Sequence, residues 1–322
     1  MTTAIVVSWG GGKTAAFVYH LSHMVARQEW RVLAADLNPR ASLSAAFFDD
    51  EQLERFWDQE GTDTVATALG GGRIPVPQEV DDRLWVLPGD LRLSRLEDRL
   101  SASWALSRAG DEAALRTTTA FHRILQGAAA AVRAHVVFVD VGPSLGAINR
   151  AAFLACDALL VPLAPDLFSL HGLRILGPAL RQWRDSWQRD VLPNAPAGVA
   201  TPEGACTPSG TWCSSRRPDW TAGARITTGG SAASRRSFTA RSSGSPTPPS
   251  TMRTTRTSFA SLRSFTSLMP LARDARKPMF DLKPADGAMG STGRLVHICY
   301  REFRDVAVRL MDAAEIPAAS LA

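Results

Sequence analysis

The sequence predicts an α/β protein built on a doubly wound, mostly parallel sheet. Three observations carry that prediction. Short apolar, β-branched runs recur along the chain and suit strands buried on both faces. Segments of helical period separate them, as alternating strands and helices require. Two of the runs end in an aspartate followed at once by turn chemistry, where such sheets present groups to a ligand. At 322 residues the chain is long enough for one large domain or two modest ones.

Ala4 to Ser8 (AIVVS) reads as the first strand, and Gly10, Gly11, Gly12, Lys13 and Thr14 follow almost directly. The next stretch, Ala15 to Gln28, places Phe17, Leu21, Met24 and Val25 on one helical face. Strand, glycine-rich loop, helix is the opening of a nucleotide-binding βαβ unit. Arg31 to Ala35 is a second strand, ended by Asp36 and the Asn-Pro turn of LNPRASLS. Gln52 to Gly72 reads as helix and then loop, Leu84 to Pro88 as a strand, and Leu91 to Ser107 and Ala113 to Arg133 as amphipathic helices. His135 to Val139 is a clear strand ended by Asp140 and the turn VGPS. Ala158 to Pro162 is another, leading to a helix near Leu173 to Trp187.

After about Pro196 the periodicity collapses. Residues 201 to 260 are dominated by Ser, Thr, Arg, Gly and Pro and give no basis for a packed core. Order returns near Ser267, and Leu295 to Ala314 reads as a final amphipathic helix. The expected organisation is therefore a core over 1–196, the Ser/Arg/Thr/Pro-rich tract over 197–265, and a C-terminal part of the same domain over 266–322.

The formal charge of +5 is confined to one place. Residues 201 to 260 hold eight arginines, no lysine, and only Glu203 and Asp219 as acids; the rest of the chain is close to neutral. No window of about 18 uninterrupted apolar residues occurs, and the first residues lack a basic n-region, so a soluble cytoplasmic protein is expected, with no membrane partner. Cys156, Cys206, Cys213 and Cys299 show no CxxC spacing and read as free thiols.

A phosphate-binding loop works because successive backbone N–H groups wrap the phosphates while glycines let the chain approach. A lysine then contacts the terminal phosphates and a Ser or Thr hydroxyl reaches Mg²⁺. Gly10, Gly11, Gly12, Lys13 and Thr14 supply those parts, although the full GxxxxGK[ST] pattern fails because Val7 stands five before Gly12. A plain glycine-rich turn is the competing reading. Asp140, at a strand end, is placed to hold the magnesium ion's water shell, and Asp36 to orient an attacking water. Both could instead cap helices or turns.

With these pieces together, the chain resembles the ParA/MinD group of deviant Walker ATPases, a P-loop NTPase family, and ParA-type partition proteins in particular. IVVSWGGGKTAAFVYHLSHMVA resembles the family's KGGVGKT loop and helix, RVLAADLNPRASLS its DxDPQxN segment, VVFVDVGPSLGAINRAA its D-x-x-P-S/N-L segment, and LLVPLAPDLFSLHGL a later strand end. The resemblance covers residues 4 to 190 and resumes from 267. It implies ATP and Mg²⁺ as ligands, with Gly10, Gly11, Gly12, Lys13 and Thr14 on the nucleotide, Thr14 and Asp140 on the metal, and Asp36 as the catalytic group. It further implies a nucleotide-dependent homodimer, nonspecific DNA binding, a partition partner protein, association with the nucleoid, and a role in plasmid or chromosome partitioning.

The departures are specific. With Lys13 and Thr14 set on the family's KT, the signature lysine position is Ser8 and the first glycine is Trp9. Anchored instead on Tyr19, His20 and Leu21, Trp9 takes the lysine position. Either way that lysine is absent, and the second acid of DxDPQ is Asn38. A nucleotide-binding scaffold without turnover is therefore the alternative function.

The tract has two competing readings. As a disordered basic linker it would bind DNA phosphates without sequence preference. As a segment read out of frame, roughly 197 to 265, it hides a strand. Back-translating ACTPSGTWCS (Ala205 to Ser214) from the third base of the Ala codon permits Val-His-Pro-Val-Gly-Tyr-Leu-Val-Leu. A smaller shift in the loop at 7 to 14 is part of the same reading. Elsewhere, His20 and His23 read as core or surface helix positions, Trp183 and Trp187 as residues packed on the sheet, Asp166 as a cap or part of a dimer face, and ARDARKPMFDLKP as a solvated basic face.

Overall fold

The computed structural model describes residues 4–9, 14–58, 64–71, 73–163, 167–204, 207–215 and 261–313. Within them the strands are β1 (Ala4–Ser8), β2 (Val32–Asp36), β3 (Gln78–Asp81), β4 (Leu84–Leu87), β5 (Val136–Asp140), β6 (Ala158–Leu163), β7 (Thr207–Ser215) and β8 (Ser261–Arg263). The helices are α1 (Thr14–Arg27), α2 (Ser44–Phe47), α3 (Asp50–Asp58), α4 (Val65–Gly71), α5 (Glu97–Arg108), α6 (Glu112–Thr118), α7 (Ala120–Ala131), α8 (Ala147–Leu154), α9 (Leu167–Ser186), α10 (Met269–Ala275) and α11 (Ser291–Ala313).

The strands form one sheet in the order β3-β4-β2-β5-β1-β6-β7-β8. Every pairing is parallel except β3 with β4. Parallel neighbours need crossovers, and the crossovers leave helices on both faces. Alternate residues of each strand feed opposite layers, as a period of two dictates. Val6, Val32, Ala34, Val136 and Phe138 pack under α1, α10 and α11. Ile5, Val7, Leu33, Ala35, Val137 and Val139 pack under α4, α5, α7, α8 and α9. That two-sided burial is why these strands read as unbroken apolar runs.

The expected strands therefore stand, with β2 and β5 each one residue later than expected and closed by Asp36 and Asp140 themselves. Other boundaries moved for local reasons. The expected helix from Leu91 begins as a 3-10 turn over Leu91–Leu96, because the Asp90 carboxylate accepts from the Arg92 N–H and tightens the first turn. The helix expected over 113 to 133 is two, α6 and α7, meeting at Thr119, whose hydroxyl donates back to the Leu115 carbonyl. The helix near Leu173 starts at Leu167 and tolerates Pro178 in its interior.

The tract differs most. No core was expected between 201 and 260, yet the backbone of 207–215 lies parallel beside β6 and carries β8 on its other side. Residues 216–260 lie outside the described residues. Trp183 packs on the sheet layer against Phe153. Trp187, expected there too, is instead fully buried in a separate cluster with Leu115, Leu154 and Val191, its ring stacked on Trp104.

Candidate functional site

The site is set by one rung of the sheet. β5 lies between β1 and β2, and the register places Ser8, Asp140 and Asp36 side by side at the strands' carboxyl ends. This is the edge of a parallel sheet where ligands bind. The glycine loop leaves β1 here; Gly10, Gly11, Gly12 and Lys13 lie outside the described residues, and α1 begins at Thr14. Asp166 lies outside them as well.

Asp140 is fully buried. One of its oxygens accepts a long hydrogen bond from the Asn38 side-chain amide at 3.4 Å, and the nearby Thr14 hydroxyl opposes the rise of its pKa. Oδ1 has no partner, and neither does the buried hydroxyl of Ser8, its neighbour in the register. Burial, and next the charge of Asp36, hold the Asp140 carboxyl well above the usual carboxylate range. An orphaned buried oxygen of this kind is costly unless something absent completes it.

Asp36 is equally buried but is satisfied by its own chain. Its Oδ2 accepts from the Ser44 N–H at 2.8 Å and the Ser44 hydroxyl at 2.9 Å, and its Oδ1 accepts from the Asn38 N–H at 3.1 Å. The Ser44 oxygen accepts in turn from the Gly89 N–H at 2.8 Å. A Cβ at residue 89 would lie 2.8 Å from the Asp36 Cγ, so only glycine allows β4 to end this close. Burial pushes Asp36 upward also, opposed by the Ser44 and Asn38 hydrogen bonds. As built, Asp36 ties the loop after β2 to the sheet, and Asn38 is the side chain of that loop that faces Asp140.

The loop after β5 is clamped from three directions. The Asn149 amide donates to the carbonyls of Gly142 at 2.6 Å and Ser144 at 2.5 Å. Glu97 accepts from the first backbone N–H groups of α8, Ala147 and Ile148. Trp9 donates its indole N–H to the Ser144 carbonyl at 3.1 Å, and its ring lies against Gly172 of α9. Trp9 stands where the resemblance expects a glycine or the signature lysine. The structure turns the ring inward, 7% exposed, as a brace between β1, the β5 loop and α9.

Of the residues that stand out in the sequence, the fold brings Thr14, Asp36 and Asp140 together. Asn38 and Ser8 stand out in the sequence only as departures from the family pattern, and Ser44 and Glu97 carry no motif that marks them. Among the described residues no cluster of three or more His, Cys, Asp or Glu side chains could hold a metal. His20 and His23 sit among Tyr19, Phe47, Phe280 and Phe303, away from the strand ends. Cys156 and Cys299 are both buried.

Residues 2–192, more than half of the chain, match the AAA_31 family model, described as an AAA domain. Over 188 residues the chain is 28% identical to a Thermus thermophilus protein named "Probable plasmid-partitioning protein ParA". The chain belongs to the ParA/MinD-type P-loop ATPases. The match covers 58% of this chain and 51% of that relative, so the chain spans about half the relative's length. Among solved structures, a protein from Corynebacterium diphtheriae superposes with a TM-score of 0.54 at 24% identity, covering 66% of this chain and 82% of that one. Cobyrinic acid a,c-diamide synthase from Mycobacterium smegmatis gives 0.51 at 20% identity, over 68% and 77%. At such identities the likeness shows the fold, which here is the mostly parallel P-loop NTPase sheet. No helix among the described residues of this ParA/MinD-type chain is long and apolar enough to cross a membrane.

Proposed function

We propose that this ParA/MinD-type chain binds ATP with Mg²⁺ at the carboxyl ends of β1, β2 and β5, dimerises on the nucleotide, and associates with DNA and a partition partner to move plasmid or chromosomal DNA in the cytoplasm. The observation that carries the reading is Asp140, buried near Thr14 and left with an unpartnered oxygen at the strand end that shares a rung with Ser8, just ahead of the glycine loop. Hard oxygen donors of this kind suit magnesium, which keeps several waters and takes few protein ligands. Thr14 and Asp140 would hold the ion, and Gly10, Gly11, Gly12 and Lys13 the phosphates. When bound, the ion supplies charge neutralisation to the phosphate oxygens. The chain's own part is to keep Thr14 and Asp140 in contact, to fix the β5 loop through Trp9, Asn149 and Glu97, and to exclude bulk water by burying the rung. The Thr14 contact supports setting Lys13 and Thr14 on the family's KT.

A named relative of the fold, Mycobacterium smegmatis cobyrinic acid a,c-diamide synthase, was solved with an ATP analogue and magnesium, at a TM-score of 0.50 and 23% identity. The partitioning role rests on the Thermus relative's name and on the resemblance. Calorimetric titration with ATP and Mg²⁺ tests the binding. The expected result is magnesium-dependent affinity that falls at least tenfold, about 1.4 kcal/mol, in Lys13→Ala; unchanged affinity in that variant removes the loop from the site.

A second reading, binding without turnover, is favoured by two features. Both Asp36 oxygens are engaged in holding the β2 loop, and the side chain facing Asp140 is the neutral amide of Asn38. An amide cannot accept a proton from water as a carboxylate can. Phosphate release by the purified chain with and without DNA separates the two. Absent turnover that appears in a variant rebuilt to KGGVGKT assigns the defect to the loop.

A further inference from the structure

The position of β7 in the sheet is at odds with its sequence. It pairs in parallel with β6 on one side and β8 on the other, so it is an interior strand. Interior parallel strands are covered on both faces and are built from apolar runs. The other interior strands comply: AIVVS, VLAAD, LWVL, VVFVD and ALLVPL. β7 reads TPSGTWCSS. Pro208 brings no N–H to the ladder, Gly210 has no side chain to pack, and the pairing with β6 slips at Ser209. Such residues belong on edges and bulges.

We infer that this interior strand is encoded one base out of phase, and that the product whose sheet is complete carries an apolar strand in the β7 slot. The genetic code makes the case stronger than codon freedom alone. Read from the third base of each codon, Trp212 and Cys213 give GTG, valine, whatever codons are used. The Thr211 to Trp212 and Ala205 to Cys206 junctions give NTG, which is Leu, Val or Met. With TCN serine codons, Pro208 to Ser209 and Cys213 to Ser214 give NTC and YTC, again apolar. The junctions from Pro208–Ser209 to Cys213–Ser214 fall within β7, where the last four positions include three apolar codons. A stop in that frame needs T closing one codon and AA, AG or GA opening the next. Between Ala205 and Ala260 there is no Lys, Asn or Glu, and Asp219 is the only Asp, so a stop in the shifted frame can arise only at Asp219 or at a Ser or Arg whose codon opens with AG after a codon ending in T. The Arg-rich, lysine-free charge anomaly covers the same span. Order returns with Leu262 and Phe265 buried in the main core, so the frame is regained by about residue 265. The phase requires one base missing ahead of codon 205 and one extra base by about codon 265, which leaves the chain length unchanged.

Resequencing the gene, with peptide mapping of the protein made in its own cells, tests this. The expected result is that compensating pair of single-base differences, and no tryptic peptide ITTGGSAASR, residues 226–235. An identical read, or recovery of that peptide, overturns the inference. A second arm expresses the given and frame-restored chains side by side. The restored chain should melt at least 10 °C higher with one cooperative transition, and an equal or lower melting temperature counts against the inference. ATP affinity should be the same in both, because the glycine loop, Asp36 and Asp140 lie upstream. Loss of ATP binding in both would strike the nucleotide reading and leave this one standing.

Discussion

At the scale of single residues, Asp140 and Trp9 show opposite ways of occupying the same rung. Asp140 is buried with Oδ1 unpartnered and its carboxyl destabilised as an anion by burial and by Asp36. Asp140→Asn removes the charge while keeping an acceptor for Thr14. Relieving an unsatisfied buried group is worth about 1–3 kcal/mol. The metal-free variant should therefore melt a few degrees higher than the parent, while its magnesium-dependent ATP affinity drops at least tenfold. A lower melting temperature in differential scanning calorimetry would show that the carboxylate serves the fold instead. Trp9 is the reverse case, a residue the fold has absorbed. Trp9→Phe keeps an aromatic ring in the space but abandons the Ser144 carbonyl and withdraws the outer indole carbons from Gly172, the lost hydrogen bond alone costing about 1–3 kcal/mol. Trp9→Ala empties the space as well, at about 3–5 kcal/mol. Urea melts that fail to rank them in that order would mean the indole is not a brace. The aspartates were legible because each ends an apolar strand. Ser44 was not: it reaches Asp36 only because the chain doubles back after Asn38, and nothing in the order of residues announces that turn's path.

At the scale of elements, the α1–α11 contact joins the two ends of the sequence and carries a pH dependence. His20 lies between Phe280 and Phe303, donates its Nδ1–H to the Ala16 carbonyl, and leaves Nε2 unpartnered. Burial lowers its pKa to about 4. His23, beside Tyr19 and Phe47, is lowered to about 4 by burial and then by His20, with Asp81 opposing and Arg27 adding. Both are neutral when folded, against an ordinary value near 6.5. The stability they contribute is complete above pH 6.5 and is lost as the pH falls toward 4. The expected outcome is a melting temperature that declines over that window in the parent and declines less in His20→Leu. Equal slopes would place the acid sensitivity elsewhere. Helical period made α1 and α11 legible as amphipathic segments. Their partnership was not, since sequence distance carries no record of which apolar faces meet. The splitting of α6 from α7 was hidden for a similar reason, because one threonine's hydrogen bond decides it.

At the scale of the whole molecule, the chain's ends form one cooperative unit around the sheet, whatever stands between them. α11 sends Val296, Cys299, Phe303, Val306, Leu310 and Met311 into the core that holds Phe17, Leu21 and Met24 of α1. Burying each large side chain of this kind stabilises by about 1.5–3 kcal/mol, so together they rival the roughly 5–15 kcal/mol that a domain possesses. The sequence division into 1–196 and 266–322 is thus a division of the chain and not of the core: the second part covers one face of a sheet that the first part builds. Removing residues 291–322 should therefore do more than trim a terminus. It exposes the apolar face of α1, which begins at Thr14 beside Asp140, and so loosens the strand-to-helix junction on which the site depends. The truncated chain should show no cooperative thermal transition by circular dichroism and should bind a hydrophobic dye. A truncation that melts as sharply as the full chain, and at the same temperature, would show that residues 1–290 hold their own core and that the C-terminal helix is an accessory.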